Sequence, residues 1–178
     1  MMKKKENARQ MALFRLTLSA MLTALSVVVL YLGTLLDVLS LTAVAIASLF
    51  LLFAVREFPV TYRLFIYFGT GILAVLLLPS LETAVLYALL GLYPLFKFPL
   101  ERIRRPLPFV LKLLYVNTVI TLSELCTVFL FHLPAEAWYM LLALYLIANP
   151  AFFLYDRVLD RMLIVYEARL RPRLSRYL

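Results

Sequence analysis

Residues 117–132 read NTVITLSELCTVFLFH, an apolar helical run interrupted by a single carboxylate, Glu124. The solvent this run belongs in decides the fold. The surrounding 178 residues are 65% hydrophobic and 16% charged, with 4 glycines, and their mean hydropathy is +0.95. A water-soluble domain carries about 25% charged residues and about 45–50% apolar ones. The chain is therefore read as an integral membrane protein. A spanning helix needs about 20 apolar residues, so there is room for about six spans with short connections. The expectation is an all-α integral membrane protein with six transmembrane helices in one bundle.

Working outward, 117–132 is the upper part of a fifth span, Phe109 to Phe131, closed by HLPAE. The earlier spans run from Leu13 to Leu32, Val38 to Val55, Tyr62 to Leu78 and Thr83 to Phe96, and the sixth from Ala135 to Tyr155. Charge and proline punctuate them at GTLLD, REFP, LLPSLE and YPLFKFPLERIRRPLP. The fourth is short, and it either tilts little or takes in YPLFK as a bent end.

Basic residues are retained on the cytoplasmic side of a membrane, whereas acidic ones contribute little to orientation. In this threading all 18 Lys and Arg fall on one side. They are Lys3, Lys4, Lys5, Arg9 and Arg15 before or early in span one, Arg56 and Arg63 between spans two and three, Lys97, Arg102, Arg104, Arg105 and Lys112 between four and five, and Arg157, Arg161, Arg169, Arg171, Arg173 and Arg176 at the end. The opposite loops hold Asp37, Glu82, His132 and Glu136. Both termini are expected in the cytoplasm, with the acidic face outside the cell membrane. Residues 1–12 form a basic cytoplasmic N-terminal segment, 13–156 the six-helix domain and 157–178 a basic amphipathic cytoplasmic extension. In that extension Val158, Leu159, Met162, Leu163 and Val165 alternate with charge at helical spacing, suiting a helix along the lipid interface, the preferred reading, or one docked on a partner.

The start MMKKKENARQ resembles a signal peptide's basic region, but no small-residue cleavage site follows, so it is read as retained. The net charge of +8 is read as topology signal and contact with anionic lipid, with no nucleic-acid partner. The single cysteine, Cys126, leaves no internal disulfide or CxxC site and is read as a packing residue. There is no phosphate-binding loop, HExxH or GxSxG. No catalytic residue, metal site or cofactor is expected.

Polar groups inside spans are expensive and usually face the bundle interior or a cavity. On span five, Asn117, Thr121 and Glu124 share a face at i, i+4, i+7, with Glu124 roughly 10 Å below the outer boundary. On span six, Trp138, Tyr145 and Asn149 make a matching stripe, and Tyr87 lies at comparable depth on span four. Together these seven residues are the candidate substrate-binding set for a small amphipathic ligand. Each neutral member also has a plain packing role, because Asn, Thr and Tyr hydrogen-bond between helices without any ligand, and Trp138 suits an interfacial belt. For Glu124 a functional role is preferred. In span one, Ala20 and Ala24 form a small-residue ridge beside Ser19, Thr23 and Ser26, a surface on which a partner or a helix of the same bundle can approach closely. Gly69 and Gly71 offer a similar approach in span three.

The AxxxA ridge of Ala20 and Ala24, the stretches GLYPLFK and NPAFFLYDR, and six spans with both ends inside resemble the S component, the substrate-capture subunit, of energy-coupling factor transporters. The resemblance covers nearly the whole chain as architecture. It implies a non-enzymatic subunit that binds a vitamin or similar micronutrient from outside and associates with a transmembrane coupling subunit and two ATPase subunits. It also implies that Ala20 and Ala24 meet the coupling subunit. Borrowed ATPases would account for the missing phosphate loop. The acidic outer face and Glu124 lean toward a neutral or cationic ligand. The rival reading is a noncatalytic membrane scaffold of the cell-shape and cell-wall machinery. A small lipid-modifying enzyme, the third, lacks a catalytic set.

Overall fold

The computed structural model describes the backbone of residues 2–36, 39–102, 107–130 and 137–170, and the side chains of 9–36, 39–102, 107–129 and 137–169. Its described residues form only helices: α1 (Met2–Leu35), α2 (Ser40–Glu57), α3 (Val60–Leu77), α4 (Leu81–Leu90), α5 (Tyr93–Glu101), α6 (Leu107–Leu130) and α7 (Trp138–Val165), with a π-helical turn at Tyr166–Leu170. Six segments are long and apolar enough to cross a membrane: 9–35, 40–57, 60–77, 81–101, 107–129 and 138–169. The expected boundaries at Val38, Phe131 and Ala135 lie outside the described residues, as do Asp37, Arg104, Arg105, His132, Glu136, Arg171, Arg173 and Arg176.

Two helices are longer than the sequence suggests. α1 begins at Met2 rather than Leu13, and its 34 residues make a rod of about 51 Å, well beyond a hydrocarbon core of about 30 Å. α7 continues through Asp156 without a break, so the terminal extension prolongs span six. Part of its apolar face packs on the bundle, while Val158, Met162 and Val165 stay exposed. Leu159 is fully buried, Leu163 packs on the same cluster, and Tyr166 stacks on Phe53 of α2 at 4.7 Å. The cause is spacing: Phe152, Asp156, Leu159 and Leu163 recur on one face, and that face meets the rest of the bundle.

The fourth span is interrupted at Gly91 and Leu92 and takes in YPLFK as the start of its second helix. A Cβ on Gly91 would lie 2.6 Å from the Tyr87 carbonyl oxygen, and Pro94 follows in the first turn of α5, where a missing N–H is tolerated. A broken helix exposes carbonyls that lipid cannot satisfy. Three from the last turn of α4 have partners: Gly91 N–H donates to Tyr87 O at 2.8 Å, the Tyr67 hydroxyl to Ala88 O at 2.6 Å and the Tyr115 hydroxyl to Leu89 O. Tyrosines from α3 and α6 thus cap the break.

Two cores result. The first joins α1 to α4 around Leu30, Val44, Ala47, Leu51, Ile66, Ala74 and Tyr87. Helices approach closely where side chains are small: any Cβ on Gly33 would collide with Ala43, and one on Gly69 would lie 3.4 Å from Thr23. Gly71, by contrast, faces open space. Ser19, Ser26 and Thr34 are buried here, each hydroxyl donating to a carbonyl of its own helix at 2.7–2.8 Å. The second core joins α2, α5, α6 and α7 through Leu52, Tyr93, Val116, Ile120, Phe152 and Leu159. Elsewhere α7 is largely exposed, with Leu142, Leu146, Ile147 and Leu154 facing outward, as expected of helices whose solvent is hydrocarbon.

Candidate functional site

The second core ends in an ionic cluster. On α5, which follows the interruption at Gly91 and Leu92, Tyr93, Lys97 and Glu101 recur at i, i+4, i+8, along one face. They meet Asp156 and Asp160, one turn apart on α7, and Lys112 near the start of α6. The Lys97 ammonium, 0% exposed, pairs with Asp156 Oδ1, with Asp160 Oδ1 at 2.8 Å and with Glu101 Oε1 at 3.0 Å. Lys112 Nζ lies 2.5 Å from Asp156 Oδ2 and 3.3 Å from Glu101 Oε1. Tyr93 donates its hydroxyl to Asp156 Oδ1. Both oxygens of Asp156 are thereby occupied, by groups from two other helices.

A buried charge is tolerated only when paired and hydrogen-bonded, and this cluster meets that condition at its centre. The rim carboxylates are more open: the side chains of Glu101 and Asp160 are 37% and 46% exposed. Glu101, Asp156 and Asp160 are the one carboxylate group among the described residues close enough to share a metal ion. Lys97 Nζ already bonds an oxygen of each, so the ammonium fills the cation position. The cluster can lock three helices at fixed distances.

Beside the cluster lies a cleft of about 280 Å³ between α2, α4, α6 and α7. Leu41, Thr42 and Ala45 line it from α2, Leu86 and Leu90 from α4, Val116, Val119, Ile120 and Ser123 from α6, and Leu144, Ala148, Ala151, Phe152 and Tyr155 from α7. Phe152 and Tyr155 form its floor against the cluster, their rings 4.8 and 6.2 Å from that of Tyr93. Leu41 and Thr42, at the start of α2, mark the opposite end. A second, shallower groove of about 390 Å³ on the outer surface of α3 and α4, lined by Phe68, Gly71, Ile72 and Val75 among others, has only the committed hydroxyl of Tyr67 as a polar side-chain group.

The seven expected binding residues divide. Four come together, but with one another: Asn149 Nδ2 donates to Asn117 Oδ1 at 3.0 Å, and the Thr121 and Tyr145 hydroxyls are 2.8 Å apart. They form a ladder joining α6 to α7, and none of them lines the cleft. Tyr87 is fully buried in the first core, stacked on Tyr67 at 6.1 Å. Glu124, half-buried, has no hydrogen-bond or ion-pair partner among the described residues. Trp138 is 77% exposed, against Tyr139 at the start of α7. Ala20 and Ala24 both face out of the bundle, whereas Ser19 and Ser26 face in.

Sequence reasoning missed Tyr93, Lys97, Lys112 and Asp156 as a site. The two lysines were read as topology signals. Yet GLYPLFK and NPAFFLYDR contain Tyr93, Lys97 and Asp156, and ionisable groups close inside a span boundary are a signal for bundle-facing charge. Comparison with protein-family models, with curated proteins and with solved structures found no match.

Proposed function

We propose that the chain is the substrate-binding membrane subunit of an energy-coupling factor type transporter, capturing a vitamin or similar small molecule from outside the cell. The observation that carries this reading is the cleft between α2, α4, α6 and α7. It is walled by four helices and comes near the lower end of the volume usual for small-molecule sites, about 300 Å³. Four features of the bundle support the orientation. Gly33 near the end of α1 meets Ala43 near the start of α2, Arg56 at the end of α2 pairs with Glu167 at 2.7 Å, and Lys97 and Lys112 meet Asp156. The basic residues thereby gather at one end, which in this reading is cytoplasmic together with both termini. The cleft then runs from its floor above the cluster toward the outer face.

Ala20 and Ala24 support the partner. Both are exposed on α1 and offer a smooth ridge to a helix of a coupling subunit, which would bring the ATPases. A scaffold of the cell-wall machinery would also use exposed ridges, but it has no need of a cleft between four helices. The test is affinity purification of the full chain from its native membrane in mild detergent, followed by native mass spectrometry. The reading expects a transmembrane coupling subunit, two ATPase subunits and a retained small molecule. Recovery with cell-wall proteins alone, and with no bound molecule, would overturn it.

A further inference from the structure

The cleft's chemistry is narrower than the sequence suggests. Of its fourteen lining residues only Thr42, Ser123 and Tyr155 carry polar side-chain atoms, and none carries a charge. All three hydroxyl protons are already committed. Thr42 donates to Leu39 O at 2.7 Å and Ser123 to Ile120 O at 2.8 Å. Ser48 donates its one proton to Ala45 O at 2.7 Å, so in the bond between Ser48 and Tyr155 the tyrosine is the donor. No side-chain donor in the wall awaits a ligand. The nearest cationic groups, Lys97 and Lys112, lie behind the floor and are bound to carboxylates.

Size limits the occupant as well. An apolar cavity of about 150 Å³ accommodates benzene, so about 280 Å³ suits about eleven heavy atoms at the same packing. From Val116 to Ser123 the α6 wall rises about 10 Å, the length of a two-ring molecule. A lipid acyl chain is longer than this space.

We propose that the ligand of this cleft is a free, uncharged, hydrophobic molecule about the size of two fused rings, held by packing against Phe152, Leu144 and the α6 wall without any ionic contact. The proposal rests on the reading that the chain captures a small molecule, and replaces the neutral-or-cationic preference drawn from Glu124 with a strictly neutral one. A charged ligand would lose its hydration to a wall that offers no counter-charge, with no free side-chain donor for an anion and only three hydroxyl oxygens for a cation.

The experiment is equilibrium dialysis of the full chain in phosphatidylcholine nanodiscs against empty nanodiscs, with three probes: methylnaphthalene, N-methylquinolinium, which has the same shape and a positive charge, and naphthoate. Methylnaphthalene should show saturable uptake beyond that of empty discs, with the two charged probes bound about tenfold more weakly or worse. Ala148→Phe or Ala151→Leu, each filling the cleft from α7, should remove the saturable component. Two variants are used so that one that folds, judged by an unchanged melting temperature, is in hand. Equal or tighter binding of either charged probe, no saturable uptake of any probe, or uptake indifferent to cleft filling, as for a lipid tail, would overturn the proposal. Failure of the transport reading looks different: neutral binding would persist while no coupling subunit or ATPase co-purifies. A charged molecule retained with the whole complex would sink the ligand class and leave the transport reading standing.

Discussion

Lys97 and Asp156, 59 residues apart in sequence, are ion-paired where α5 meets α7, and neither has appreciable access to solvent. Lys112 closes the pair from α6. Three helices therefore share a single carboxylate.

Asp156→Asn should lower stability by about 3 kcal/mol, because it weakens the acceptor of Lys97, Lys112 and Tyr93 together. The same change at Asp160, whose side chain is 46% exposed, should stay within about 1 kcal/mol. Unfolding in mixed micelles measures both. Lys97→Met combined with Asp156→Asn should cost less than the sum of the two by about 1 kcal/mol or more. Simple additivity would mean that the pair is not energetically coupled.

The broken span offers a contrast between glycines. Gly91→Ala places a methyl 2.6 Å from the Tyr87 oxygen, an overlap that should cost about 1–3 kcal/mol. Gly71→Ala meets nothing within 4 Å and should be neutral or slightly stabilising. Thermal unfolding of the two variants side by side is sufficient to check this.

Tyr115→Phe removes the donor to Leu89 O, and Tyr67→Phe the donor to Ala88 O. Each should reduce stability by about 1 kcal/mol. Hydrogen exchange should quicken first around Ala88–Leu92, at the break itself, and not along α1. Uniform acceleration would argue against a capping role.

Ala20→Leu with Ala24→Leu alters an exposed ridge and should leave the melting temperature within a few degrees. Under the proposed function it should abolish recovery of the coupling subunit. Loss of folding instead would show that the ridge is buried within the bundle.

The spans were legible because hydropathy and length report directly on which segments hydrocarbon will accept. That the fourth span takes in YPLFK was legible as one of two options, since glycine and proline mark the interruption locally. The cluster was not. Whether a lysine at a span boundary faces headgroups or the bundle depends on which helix packs beside it, and for Lys97 that helix arrives 59 residues later. The stripe Asn117, Thr121 and the stripe Tyr145, Asn149 were each legible from spacing. That they would bond to each other, leaving the neighbouring side of α6 to line the cleft, depends on the rotation of two helices about their axes, which no local pattern fixes.

α7 carries Leu144 in the cleft wall, Pro150 in its interior and Asp156 in the cluster, and leads into the π-helical turn that sets Tyr166 and Glu167 against α2. At 1.5 Å per residue the arm above Asp156 is about 18 Å and the arm below about 16 Å. Pro150 has no N–H to give the Leu146 carbonyl, so the helix is weakest within the upper arm, between the cleft wall and the carboxylate held by two lysines and a tyrosine. A change of shape at the cleft is therefore expected to be taken up at the proline while the cluster stays closed.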